Sequence, residues 1–242
     1  MSAILLDIGN SAVKGCLDWP KTDNIFRCER GIETLLPQLQ SLGPVGTPLW
    51  LSSVASDAAI EMLSQELKVA GYAEQHWLRS PAEGFGIQNA YAEASALGVD
   101  RWLAMVAARQ VHDGAVLVID AGTALTLDLV AVNGRHEGGY IIPGVDLMTA
   151  SLRRDTARVL FKDGLLQSID PGASTDACVG AGIWLTQVAS VRAVMSQHPS
   201  HVPLLTGGRG QSLLELGIQA TYRPQLVLEG LAIVAGLAAP RP

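Results

Sequence analysis

The sequence predicts an α/β protein of two similar domains facing a central cleft, and three observations carry that expectation. The chain has 242 residues, enough for one large domain or two of about 120 residues each. Hydrophobic residues make up 48% and charged residues 17%, which supplies a large apolar core and excludes the disordered and fibrous classes. The third observation is an internal echo. An apolar run ending in Asp7-Ile8-Gly9-Asn10-Ser11 returns as one ending in Asp120-Ala121-Gly122-Thr123-Ala124, 113 residues later and close to half the chain. Duplication of one structural unit explains the match.

After the first copy, residues 12–17 and 25–29 read as two short strands, with turn residues 18–24 between them. In the second copy Leu125, Leu127 and Leu129 alternate with Thr126, Asp128 and Val130, the period of a strand. Asn133-Gly134 then gives a two-residue hairpin, and Tyr140-Ile141-Ile142 starts the return strand. Each half thus opens with a three-stranded antiparallel meander whose first turn carries Asp-x-Gly. Residues 50–54 form another strand. Asp57 caps a helix with Ile60, Leu63, Leu67 and Ala70 on one face, closed by Gly71. Residues 145–160, 175–197 and 211–216 read as helices, with a strand at 203–206. The boundary falls near His112-Asp113-Gly114, dividing 1–113 from 114–242.

Net charge is −6, with no basic cluster beyond Arg153-Arg154, so the electrostatic footprint of a nucleic-acid binder is missing and a small-molecule partner is expected. Three cysteines, Cys16, Cys28 and Cys178, form an odd set without CxxC spacing. They argue against a disulfide framework or structural zinc, and read as buried packing thiols in a reducing compartment. The start of the chain lacks a basic region, Asp7 interrupts its apolar run, and no stretch approaches the roughly 18 apolar residues of a membrane span. A cytoplasmic protein without a membrane partner is the expectation.

The chain has no GxxxxGK[ST] loop, and Gly207-Gly208-Arg209-Gly210 fits neither that pattern nor GxGxxG. A tight Gly turn between strands offers another phosphate cradle, because consecutive backbone N–H groups form an anion-binding concavity and the Asp can hold Mg²⁺ directly or through water. Ser11 and Thr123 add hydroxyls, and Lys14 adds a charge. Asp and Gly also simply favour turns; the matched pair carries the functional reading. In Leu97-Gly98-Val99-Asp100-Arg101-Trp102, Asp100 can accept a proton from a substrate hydroxyl and Arg101 can fork onto a carboxylate. Asp100 also stands where a helix cap is wanted, ahead of Trp102, Leu103, Met105 and Val106.

Gly138-Gly139 and Pro143-Gly144 suit either close approach to a ligand or corner geometry. Ser174-Thr175 caps a long helix and could also present the Thr175 hydroxyl to substrate. Thr206-Gly207-Gly208 suits a plain strand-to-helix turn or one whose glycines admit a flat purine ring. The five histidines form no ligand set, and neither a GxSxG elbow nor a Cys/His nucleophile pair is present. The tryptophans read as core residues, and Arg153, Arg154 and Arg158 as a solvated helix face.

Taken in order, Asp7-Ile8-Gly9-Asn10-Ser11 with Lys14, Leu97-Gly98-Val99-Asp100-Arg101-Trp102, Asp120-Ala121-Gly122-Thr123-Ala124, Gly138-Gly139-Tyr140-Ile141-Ile142-Pro143-Gly144, Ser174-Thr175 and Thr206-Gly207-Gly208 resemble the type III pantothenate kinase family over residues 4–230. Asp-x-Gly turns alone occur throughout the wider acetate and sugar kinase, heat-shock-70 and actin superfamily; the Leu-Gly-x-Asp-Arg element singles out this branch. The resemblance implies two ribonuclease-H-like domains of the actin-like ATPase kind, a homodimer, and transfer of the ATP γ-phosphoryl group to the primary hydroxyl of pantothenate. The product, 4′-phosphopantothenate, is the first intermediate toward coenzyme A.

Residue by residue, Asp7, Gly9, Asn10, Ser11 and Lys14 match the first ATP-phosphate segment, with Asp7 reaching Mg²⁺ through water. Thr123 matches another phosphate contact, Gly207 and Gly208 the nucleotide loop, and Asp120 the ligand of a monovalent cation, K⁺ or NH₄⁺. Asp100 matches the proton acceptor, and Tyr91, Gly98, Val99, Asp100, Arg101 and Thr175 the pantothenate-binding positions. Two departures stand out: Ser11 replaces the commoner Thr but keeps the hydroxyl, and Thr156-Ala157-Arg158-Val159-Leu160-Phe161 lacks an expected Pro. Two rival expectations are another small-molecule kinase of the superfamily and a non-catalytic nucleotide-binding accessory factor in gene regulation.

Overall fold

A computed structural model describes residues 2–20, 24–156, 161–162 and 167–238. The chain forms two compact units, Met1–Val111 with Gln225–Pro242, and His112–Pro224.

In the first unit β1 (Ile4–Ile8), β2 (Val13–Leu17) and β3 (Phe26–Cys28) form the antiparallel meander. Helix α1 (Ile32–Leu42) follows, then β4 (Leu49–Ser53) parallel to β1, helix α2 (Asp57–Val69), and β5 (Gln75–Trp77) parallel to β4. The strand order is β3-β2-β1-β4-β5. Alternation along β1 sends Ile4, Leu6 and Ile8 into a core with Leu35 and Leu39 of α1 and Leu67 of α2. Ser56, not Asp57, caps α2: its Oγ accepts the Ala59 N–H at 3.4 Å, and Asp57 is the first helical residue. Gly71 closes that helix at φ 95°, donating its N–H to Lys68 O.

A short ribbon of β6 (Glu83–Gly84) and β7 (Ile87–Gln88) precedes α3 (Val99–Val111), buried from Arg101 to Ala108.

The second unit repeats the plan. Strands β8 (Val116–Ala121), β9 (Ala124–Val130) and β10 (His136–Pro143) form its meander. Helices α4 (Val145–Asp155) and α5 (Thr175–Gln197), then β11 (Val202–Thr206), α6 (Gly210–Glu215) and β12 (Thr221–Tyr222) complete the order β10-β9-β8-β11-β12. The β9–β10 connection is not the expected two-residue turn. Ala131 N–H donates to Arg135 O, Gly134 N–H to Ala131 O, and Gly134 sits at φ 84°: a three-residue loop with a left-handed third position. Gly138, at φ 106°, marks a bulge where the register shifts.

Helix α4 ends at Asp155, short of the expected residue 160; residues 157–160, with Arg158 and most of the Pro-lacking segment, lie outside the described residues. Leu117, Ile119, Leu125, Leu127 and Leu129 pack on Ile183, Trp184, Val188 and Val191 of α5. That helix corrects one expectation: at 23 residues, with an 18-residue window of mean hydropathy 1.3, it is long and apolar enough to cross a membrane. Its core face accounts for that composition within a folded unit. The cysteines also differ from their reading, since only Cys16 is buried; Cys28 is half-buried and Cys178 exposed.

Helix α7 (Leu226–Val234) corrects the expected division at 113/114. It is buried from Leu226 to Leu228 and from Gly230 to Ile233, packs on α3 and β1, and so belongs to the first unit. Because Ile4, Leu6 and Ile8 face α1 and α2, α3 and α7 cover the opposite sheet face, the face of Leu5 and Asp7.

Candidate active site

In the first unit the β1–β2 connection closes when Gly9 N–H donates to Ala12 O at 3.0 Å. Sheet register sets Asp7 beside Lys14 on β2 and Ser52 on β4, all on one face. Ser52, fully buried, donates its hydroxyl to Asp7 Oδ1 at 3.2 Å. Burial, then the negative charge of Asp100, push the Asp7 carboxyl up to about 6, against the pull of Lys14 and the Ser52 hydrogen bond. The two carboxylates predicted from separate motifs therefore act on each other. Asn10 contributes its carbonyl to Arg30 Nη1 at 3.4 Å.

Asp100 reaches this face from the second position of α3. Its Oδ1 accepts the Arg101 N–H at 2.7 Å, so it satisfies a first-turn donor from inside the helix rather than preceding it as a cap. Trp102 N–H donates to Gly98 O at 3.1 Å. A Cβ at residue 98 would lie 2.6 Å from Asp100 Oδ1, so a side chain there would displace that carboxylate. Arg101, only 7% exposed, donates from Nη1 to the Tyr91 hydroxyl at 3.0 Å. Tyr91 and Arg101 are thus joined. Gly98 and Val99 also border a cavity of about 210 Å³ that reaches Ser53, Arg79 and Ser80.

In the second unit Gly122 N–H donates to Ala124 O at 3.0 Å, giving a connection one residue shorter than its counterpart. Asp120 pairs in register with Thr206, and Gly207, at φ 90°, packs so tightly that a Cβ would overlap Asp120 Oδ1 and the Ala121 carbonyl. Arg209 N–H donates to Ala121 O at 2.9 Å, and the Tyr222 hydroxyl to Gly207 O at 3.1 Å. Burial, then the charge of Asp120, raise the Tyr222 phenol. Gly208 has open space where a side chain would stand.

Gly144 resolves its own ambiguity: its N–H donates to Thr123 O at 3.1 Å, and a Cβ there would come within 2.5 Å of that oxygen. Close backbone packing requires it. Thr175 is the first residue of α5, behind Ser174, whose Oγ accepts the Ala177 N–H at 3.2 Å.

Sequence reading missed Ser52 and Tyr222. Ser52-Ser53 ending an otherwise apolar strand is the trace that could have found the first; both serines are buried. Tyr222 has no local trace, because only the β11–β12 pairing brings it to Gly207. Among the described residues no group of three or more His, Cys, Asp or Glu could hold a metal ion.

Two α/β units of one strand order, each with an Asp-x-Gly turn after its first strand, have the fold of the acetate and sugar kinase, heat-shock-70 and actin superfamily. A Campylobacter jejuni chain assigned to the Baf family of transcriptional activators shares that fold, with a TM-score of 0.62 at 20% identity over 96% of this chain and 97% of that one. A sequence model of the type III pantothenate kinase family matches residues 3–197. The type III pantothenate kinase of Alcanivorax borkumensis is 35% identical, covering 96% of this chain and 98% of its own length. That of Hahella chejuensis is 36% identical, over 97% and 98%. The chain belongs to the type III pantothenate kinase family.

Proposed function

We propose that the protein phosphorylates pantothenate with ATP, giving 4′-phosphopantothenate and ADP. Membership of the family carries the reading, and the first phosphate turn supports it: Asp7, held by the Ser52 hydroxyl, stands beside Lys14 on one sheet face. Phosphoryl transfer needs in-line positioning and charge neutralisation more than covalent chemistry. The bond between the γ-phosphorus and the β,γ-bridging oxygen breaks, the pantothenate hydroxyl oxygen takes the phosphoryl group, and Asp100 receives the hydroxyl proton. Asp7, Gly9, Asn10, Ser11, Lys14 and Thr123 hold the phosphates, and Gly207 and Gly208 receive the purine. Tyr91, Gly98, Val99, Arg101 and Thr175 orient pantothenate, Arg101 being pre-set by its bond to Tyr91.

Asp7, a carboxylate at the first phosphate turn beside Lys14 and Ser52, suits Mg²⁺, which keeps several waters and uses one or two carboxylates together with substrate phosphates. When bound, Mg²⁺ supplies neutralisation of the phosphate charge, and Asp7 would hold it through water. Asp120, with the Ala121 carbonyl beside it, suits a monovalent cation, K⁺ or NH₄⁺. We read both units as ribonuclease-H-like domains, a reading their common strand order supports. Homodimerisation is supported by the apolar groove of about 490 Å³ lined by α4 and α5 and by the exposed Ile141 and Leu185. The acidic balance supports an enzyme without nucleic-acid or anionic membrane partners, and the odd cysteine set without CxxC spacing supports a cytoplasmic one.

A coupled ADP-release assay tests the reaction: ADP should appear only with pantothenate present. Phosphorylation of a sugar but not pantothenate would establish another kinase of the superfamily, and ATP binding without turnover an accessory factor. Asp100→Asn keeps an acceptor for the Arg101 N–H but removes the base, and should lower kcat by about 10² to 10⁴. Near-normal turnover would reject Asp100 as the proton acceptor. Exchanging potassium and ammonium for sodium should collapse activity if Asp120 holds the cation.

A further inference from the structure

Resting on the reading of the Asp120 turn and the Gly207–Gly208 loop as nucleotide-holding, we infer that Asp146 and Arg209 form a charge-balancing clasp at the phosphate end of that site. Arg209 cancels a carboxylate that would otherwise repel the polyphosphate. Arg209 Nη2 donates to Asp146 Oδ1 at 2.6 Å. On an open surface such a pair contributes little. Its place in the second unit gives it a role.

A ring of contacts closes around Gly122. Arg209 N–H binds Ala121 O on one side of the turn, and Gly144 N–H binds Thr123 O on the other. Two residues beyond Gly144, in the first turn of α4, stands Asp146, and the ion pair returns the ring to Arg209. The Gly-Gly loop and the start of α4 are both anchored on the turn whose Thr123 is read as a phosphate contact. A carboxylate in a helix's first turn is favoured by the helix dipole, but beside a bound triphosphate it is a like charge. Arg209, pinned through its own backbone to the same turn, is the cation that offsets it.

The charge logic fixes the sign of each substitution. Arg209→Ala leaves Asp146 uncompensated and should weaken binding of ATP with Mg²⁺ roughly three- to fivefold, ADP less, and adenosine by less than about twofold, the range of an exposed ion pair. Asp146→Asn removes the repelling charge, so nucleotide binding should hold or tighten. The Arg209→Ala/Asp146→Asn double variant should return ATP affinity to within about twofold of the wild type. Binding to the full-length chain is measured by calorimetry with adenosine, ADP and ATP as probes, and KM for pantothenate should stay constant across the set.

Equal weakening of all three ligands by Arg209→Ala would mean that the pair only shapes the loop, and would overturn the inference. A double variant as weak as Arg209→Ala alone would show Arg209 contacting phosphate directly, and would overturn it too. A wild-type chain that binds no nucleotide would instead bring down the underlying reading, and the inference with it.

Discussion

A carboxyl that keeps its proton up to about pH 6 destabilises the fold around it once the proton is lost, and Asp7 is such a group. Its folded-state value lies above the ordinary 3.8, so the folded chain binds this proton more tightly than the unfolded chain. The resulting stability is fully present below about pH 4 and is lost as pH rises through about 6, a difference of about 3 kcal/mol above neutrality. Asp7→Asn should therefore melt several degrees above the wild type at pH 8, with the gap closing toward pH 4. Its kinase activity should fall with the lost phosphate-side carboxylate. Thermal melts across that pH range decide the matter; lower stability of the variant at pH 8 would show that Lys14 and Ser52 outweigh burial. Asp7, Asp100 and Asp120 were readable because their motifs are local. Ser52 left only the trace of two serines closing an apolar strand, and Tyr222 left none, because sheet pairing alone brings it to Gly207.

Among the elements, the strands of the meanders were legible through alternation, as in Leu125, Leu127 and Leu129, while two helices of the first unit were hidden. Pro37 sits inside α1, where it withholds an N–H. Helix α7 reads Leu-Val-Leu-Glu-Gly-Leu-Ala-Ile-Val, so apolar that no face stands out. Its burial explains that composition: α7 packs on both α3 and β1. Gly230 is its contact point, where a Cβ would overlap the backbone of Leu103 in α3. Gly230→Ala should thus cost about 2 kcal/mol by overpacking, despite the better helix propensity of Ala. Because α3 carries Asp100, kcat should fall with stability even though residue 230 belongs to no substrate contact. A variant as stable as the wild type would mean that the helices separate without penalty.

At the scale of the whole molecule, the duplication was legible in where the two halves begin but not in where the second one ends. Matched motifs locate Asp7 and Asp120; they carry no information about a chain that leaves its second unit at Pro224 and returns to the first. The physical consequence is an asymmetry between fragments. Residues 112–224 contain their entire five-stranded sheet and the core helix α5, and should fold alone with a cooperative thermal transition. Residues 1–111 contain their entire sheet as well, but lack α7, which leaves apolar surface on α3 and β1 uncovered, including around the fully buried Leu5, Leu103 and Ala108. That fragment should aggregate or melt without cooperativity, and appending residues 225–238 through a flexible Gly-Ser linker should restore a sharp transition. Circular dichroism melts of the three fragments provide the measurement. A cooperative transition in 1–111 by itself would show that α7 adds cover without completing the core, and would return the division of the chain to its midpoint.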